Sequence, residues 1–288
     1  IIIVVIGHSI QYGNGIKYMN NEVFFSNTVF RIIYTFHMPI FAYVSGYFSK
    51  GSTKSLNKYL YIYLIWQTIY YFFDVFVLGI DEKYSLIMPN YALWYIFAMF
   101  IWNLLIKVFN KFYIKYYLHS LIISFMISLL AGFFPIIGYE LSAARIITFF
   151  PYFLLGYIHK NVKNKETEIK ITDKSKKILI CVFAMVSIGY FIKNINVIEY
   201  WWLYGATPYI LNGYNIIFKM MWIILSLVEL YLIYKIVPNR KINVISNIGQ
   251  NTLNIFLLHS LVVKWLRVYG MHYFCYTGII NIVIIKKI

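Results

Sequence analysis

The stretch Tyr34-Thr35-Phe36-His37-Met38-Pro39-Ile40-Phe41-Ala42-Tyr43-Val44-Ser45-Gly46-Tyr47-Phe48 decides how this chain folds. It lies in an apolar window, 30–49, about 20 residues long, the length of a helix that crosses hydrocarbon. Inside that window sit His37 and Pro39. An ionisable group at membrane depth is costly and marks a candidate functional site. Imidazole is also the side chain suited to moving a proton near neutral pH. Pro39 removes a backbone donor and leaves a carbonyl one turn earlier unpaired. The segment therefore reads as an interrupted helix of the kind that lines a cavity; a structural kink with a capping histidine is the plainer alternative. Gly46 lets a neighbouring helix come close.

Working outward, the same apolar texture recurs. Of 288 residues, 61% are hydrophobic and 12% charged, with a mean hydropathy of +0.69. Soluble domains carry about twice that charged fraction, so the composition excludes a soluble enzyme of this size. Ten windows read as spans: up to 11 (partial), 30–49, 59–79, 90–109, 117–134, 143–159, 177–193, 214–236, 252–269 and 273–288. The expected fold is an all-α integral membrane protein, a bundle of about ten transmembrane helices forming a single domain over 1–288. Residue 1 is not Met and opens inside an apolar run, so a chain cut short at its N-terminus is expected.

The net charge of +16 is distributed in a telling way. Lysines and arginines cluster in every second loop: Lys50, Lys54 and Lys58; Lys107, Lys111 and Lys115; Lys160 to Lys177; Lys235, Arg240 and Lys241; Lys286 and Lys287. The alternate loops hold Glu22, Asp81, Glu82, Glu140 and Glu199. This is the positive-inside pattern. It puts both termini in the cytoplasm and argues against nucleic acid as a partner, since the charge follows no single face. Cys181 and Cys275 lie far apart in apolar surroundings, giving neither a disulfide framework nor a metal spacing; both read as packing residues. No metal and no permanently bound cofactor is expected.

Several residues stand out against this background. His8 closes the run Ile1-Ile2-Ile3-Val4-Val5-Ile6-Gly7, near the outer end of the first helix. It reads either as a general base or as an interfacial histidine bonded to a carbonyl. Lys54 and Lys58 are spaced i, i+4, hence on one face, at the cytoplasmic start of the third span. They suit the phosphates of an anionic ligand, or plain membrane anchoring. Arg145 is a lone cation on the outer side, in need of a partner such as Glu140 or an anionic substrate. Trp94, Trp201, Trp202 and Tyr204 suit stacking on sugar rings, or an interfacial aromatic belt. Asp74 and Glu229 are intramembrane carboxylates whose partners the sequence leaves open. Asn254 and His259 are five apart and so point to different faces of one helix.

Five segments taken together resemble a known family. They are Val4-Val5-Ile6-Gly7-His8-Ser9, Phe36 to Tyr47, Leu93-Trp94-Tyr95-Ile96-Phe97-Ala98, Phe150-Pro151-Tyr152-Phe153-Leu154-Leu155-Gly156-Tyr157, and Thr252-Leu253-Asn254-Ile255-Phe256-Leu257-Leu258-His259. In order and spacing the chain is similar to the membrane-bound acyltransferase family 3, in the branch of fucose 4-O-acetylase-like sugar O-acetyltransferases. The resemblance implies transfer of an acyl group, usually acetyl, from cytoplasmic acyl-CoA to a hydroxyl of a lipid-linked or surface glycan. It implies a multi-pass protein of the cell (plasma or inner) membrane. It makes His8 the expected catalytic residue. Where the family carries a pair of arginines for CoA at the third helix, this chain has Lys54 and Lys58, spaced one residue wider. Lysine binds phosphate as a point charge, without the guanidinium fork.

In the chemistry so implied, neutral His8 takes the proton of the sugar hydroxyl as it attacks the thioester. His37, or a backbone donor freed at Pro39, stabilises the oxyanion. Arg145, Trp94, Trp201 and Trp202 fall to the acceptor side. Buried histidines and broken helices also suit a glycolipid or polysaccharide transporter or flippase, although no inverted repeat is visible. A structural partner in a glycan-synthesis complex would leave both histidines dispensable.

Overall fold

The computed structural model describes residues 1–11, 21–81, 83–138, 140–162, 174–194, 197–206, 208–237 and 243–269. The expected tenth span, 273–288, and Cys275 lie outside the described residues. Among those described, every regular element is helical. The main helices are α1 (Ile2–Gln11), α2 (Asn21–Phe48), α3 (Thr53–Phe72) continued by a π turn (Phe73–Val77), α4 (Leu93–Lys115), α5 (Tyr117–Leu130) and α6 (Ala143–Val162). Next come α7 (Lys174–Asn194), the short α8 (Tyr209–Asn212), α9 (Ile216–Ile236), α10 (Asn243–Gln250) and α11 (Thr252–Val268). Four of them are long and apolar enough to cross a membrane alone: Thr53–Val77, Leu93–Lys115, Glu140–Val162 and Ile216–Ile236. Tyr117–Phe133 and Thr252–Leu266 are shorter apolar helices. The hydropathy windows and the helices coincide to within a turn or two, except that α2 begins well before its apolar window, at Asn21.

The centre of the bundle is the crossing of α2 and α6. A Cβ placed on Gly46 would stand 1.9 Å from the Phe153 carbonyl oxygen, and one on Gly156 would stand 1.9 Å from that of Tyr43. The backbones touch, as small residues permit in lipid-facing bundles.

The interruption expected at Pro39 is absent, because α2 runs unbroken through it. The reason is a partner from another helix. Proline at 39 deprives the Thr35 carbonyl of its helical donor, and the Trp222 indole of α9 donates to that carbonyl at 3.0 Å. The group freed by Pro39 is thus an acceptor, already paired, and not a donor for an oxyanion.

Other buried polar groups are settled between helices. Lys219 of α9 is 3% exposed; it donates to Ser128 O at 2.6 Å and Thr148 Oγ1 at 3.3 Å. Tyr209 donates to Leu129 O at 2.7 Å. Both cap the last carbonyls of α5, where a cation also complements the helix dipole. Cys181, read as a packing residue, is exposed on α7 instead.

Candidate active site

Three helices bring histidines together inside the bundle. α1 lies on α2, and the contact is close at Gly7, where a Cβ would meet Ile33 Cγ2 at 3.1 Å and Tyr34 Cε2 at 3.2 Å. That seats His8 beside Tyr34, with His8 Nδ1 and the Tyr34 hydroxyl 3.4 Å apart. The Tyr34 ring packs on His37 at 4.3 Å between centroids and on Tyr204 at 5.4 Å. On its other side His8 faces His259 of α11, ring centroids 5.3 Å apart.

His37 and His259 share one local device. Each places Nδ1 against the carbonyl one turn earlier on its own helix: Ile33 O at 2.9 Å and Ile255 O at 3.1 Å. A carbonyl only accepts, so each Nδ1 carries the proton and each neutral ring has Nε2 as an acceptor. Ser260 donates to His259 Nε2 at 3.2 Å. This arrangement changes the chemistry expected of His37. A neutral ring whose one proton is committed to Ile33 receives a hydroxyl proton or hydrogen bond, but does not donate to an oxyanion.

The aromatic and basic residues divide into two groups. Arg145 sits over the Trp94 ring, Cζ 5.3 Å from the centroid. Trp202 packs on Tyr214 and Phe218, toward α9, while Trp201 is half-buried in the same 3-10 turn, Tyr200–Tyr204. From that turn it is Tyr204 that reaches Tyr34.

Lys54 and Lys58 are exposed on the first turns of α3. The Ser52 side chain caps that helix by accepting from Ser55 N, and Lys107 of α4 joins the cluster by donating to Thr53 Oγ1 at 2.8 Å. They stand apart from the histidines. His37 is eleven residues from the end of α2, about 16 Å along the axis. Phe41, Tyr95 and Phe256 pack in between, with Phe41 stacked on Phe256 at 5.8 Å and Tyr95 tilted against Phe256 at 5.7 Å. Tyr95 also donates to Ser45 Oγ at 2.7 Å.

The two intramembrane carboxylates find different partners. Asp74 pairs with Lys264 at 2.5 Å, and Glu229 Oε1 lies 2.9 Å from Thr35 Oγ1. His259 and Lys264 are the residues that sequence reasoning left out of the site. His259 stood in a quoted segment, and its burial beside an exposed Asn254 agrees with the different faces expected of them. Its proximity to His8 links the first and last described helices, which no periodicity along the chain can reveal. Among the described residues no three metal-ligating side chains converge to hold an ion.

An acyltransferase domain matches residues 1–285 of this chain. Nodulation protein NolL of Sinorhizobium fredii is 24% identical over 200 residues, covering 63% of this chain and 51% of that protein. The NolL protein of Mesorhizobium japonicum is 42% identical over 52 residues, 18% of this chain and 13% of that one. The match thus spans about half of the longer-matched curated relative, or less. No solved structure matches. The domain match runs across nearly the whole length, and the chain belongs to the acyltransferase domain family.

Proposed function

We propose that this protein is a membrane O-acyltransferase that moves an acyl group, most commonly acetyl, from acyl-CoA to a hydroxyl of a lipid-linked or surface sugar. The observation that carries this reading is the meeting of His8, His37 and His259 around Tyr34 inside a membrane bundle, in a chain of the acyltransferase domain family. Family membership supports the acyl donor and the sugar acceptor; their identities are part of the proposal, as is the cell membrane as location.

Donor and acceptor approach from opposite ends. The nucleotide phosphates of acyl-CoA rest on Lys54 and Lys58 at the basic end, taken as cytoplasmic from the charge pattern. The thioester reaches inward toward the histidines. The acceptor sugar enters past Arg145 and Trp94. A histidine Nε2 takes the hydroxyl proton as the oxygen attacks the thioester carbon. The Tyr34 hydroxyl, beside His8, is assigned as the donor for the oxyanion. Collapse expels the CoA thiolate, which receives the proton, so the reaction needs no further acid or base. His8 is the residue to which the proton is assigned, with His37 orienting the hydroxyl as a fixed acceptor.

The test is a cellular one. Wild type and His8→Ala are compared in cells lacking the native gene, reading ester-linked acyl on the surface glycan and protein level in the membrane. Loss of acyl at equal protein level supports the reading. Unchanged acylation removes His8 from the mechanism, and a wild type without acylation moves a glycolipid transporter ahead.

A further inference from the structure

We infer that the buried ion pair between Asp74 and Lys264 is a positioning element, which fixes the register of α11 on α3 and so holds His259 against His8. The inference rests on the acyltransferase reading for its catalytic meaning, though not for its geometry.

The way α11 is attached is unusual. Its ties to α3 are polar and spread along the helix. Tyr70 donates to Leu257 O at 2.9 Å, Lys264 to Asp74 Oδ2 at 2.5 Å, and Tyr269 to Val77 O at 3.0 Å. These ties flank His259 on both sides. Leucine-like seams between helices can slip, because any apolar neighbour serves nearly as well as another. A point charge facing a point charge has one register.

The ion pair is also a poor choice for stability alone. Asp74 is fully buried and Lys264 is 3% exposed. Taking two charges out of water costs so much that apolar replacements of similar volume are often as stable or more so. The pair is not even fully satisfied, since Asp74 Oδ1 has no hydrogen-bond partner among the described residues. Strain gathers around it. Asp74 sits in the π turn Phe73–Val77, and Tyr91, whose ring lies 3.6 Å from Lys264 Nζ, has φ +44. Such turns and left-handed non-glycine residues persist where function holds them.

The consequence for the site follows from helix geometry. A slip of one residue moves α11 by about 1.5 Å and turns it by about 100°. That would carry His259 off the face it presents to His8 and leave the proton-accepting ring without the neighbour that packs against it. Misplacement on the order of 1 Å is enough to cost about a hundred-fold in rate.

The decisive variant replaces both charges at once, Asp74→Leu with Lys264→Met, so that no unpaired charge is left to unfold the protein. The expected result is wild-type abundance in the membrane, unchanged KM for acyl-CoA, and kcat lower by about a hundred-fold. Should this variant fail to accumulate, Asp74→Asn with Lys264→Gln removes both charges while keeping polar side chains of similar size. It is expected to lower kcat about ten-fold at unchanged KM. Wild-type kcat in either well-expressed variant overturns the inference. A second readout needs no activity. His8→Cys with His259→Cys, in a background where Cys181 and Cys275 are serine, is bridged by a short bifunctional thiol reagent. The bridge forms with the ion pair present and is lost in the Leu/Met background; its persistence there overturns the inference. If wild type transfers no acyl group, the functional reading falls, while the bridge still decides the positioning role.

Discussion

The seam between α2 and α6 and the seam between α3 and α11 solve the same problem in opposite ways. The first brings two backbones into contact through Gly46 and Gly156, and its specificity is steric. The second holds its helices through hydroxyls and an ion pair, and its specificity is chemical. In lipid there is no hydrophobic drive between helices, so packing and polar ties are the means available. A steric seam fails when atoms are added. A polar seam fails when one partner is removed and the other stays.

That contrast orders the expected effects. Lys264→Met alone leaves the Asp74 carboxylate buried without its cation and is expected to cost about 3–5 kcal/mol. Detergent-solubilised thermal unfolding would show it as the largest shift. Gly156→Ala forces a Cβ against the Tyr43 carbonyl, and overpacking of this sort costs about 1–3 kcal/mol. It should lower the unfolding midpoint at the α2–α6 crossing, while Gly189→Ala, with open space around it among the described residues, should not. Trp222→Phe keeps an aromatic ring but removes the indole N–H, leaving the Thr35 carbonyl, freed by Pro39, without a donor. A buried unsatisfied carbonyl costs about 1–3 kcal/mol. Replacing Pro39 by Ala in the same chain restores the helical donor and should recover much of that loss.

The steric seam was legible in the sequence and the polar one was not. A glycine in an apolar span announces close approach whatever its neighbour, and Gly46 could be read that way. Asp74 could be seen as a buried carboxylate in need of a cation. Its partner is 190 residues later, however, and nothing along the chain connects them. Pro39 shows the limit from the other side. Its local consequence, an orphaned acceptor, follows from one residue. Whether the helix then breaks depended on Trp222, supplied by a distant helix. The histidines divide likewise: His8 and His37 stood out as ionisable groups in apolar runs, while the share of His259 in the cluster required knowing that the first helix and α11 are neighbours. The Nδ1 tautomer of His37 is set by the Ile33 carbonyl, a matter of rotamer rather than of sequence.

The smallest effect belongs to the basic end, and it sharpens the comparison because no seam is involved there. Lys54 and Lys58 are exposed and support no packing, so Lys54→Gln with Lys58→Gln is expected to leave the unfolding midpoint unchanged. Exposed charge pairs contribute about 0.2–1 kcal/mol each, which predicts a rise of several-fold in KM for acyl-CoA with kcat intact. Salt should mimic the substitution, since screening at high ionic strength removes the same interaction. The KM of wild type should therefore climb with salt toward that of the variant, while the variant responds little. Replacing both lysines by arginine tests the remaining chemistry. If the lysines act on phosphate as point charges, the guanidinium fork adds contacts and KM falls below wild type. An unchanged KM in both the glutamine and arginine variants would locate the donor elsewhere on the basic end, with Lys107 at Thr53 the next residue to replace.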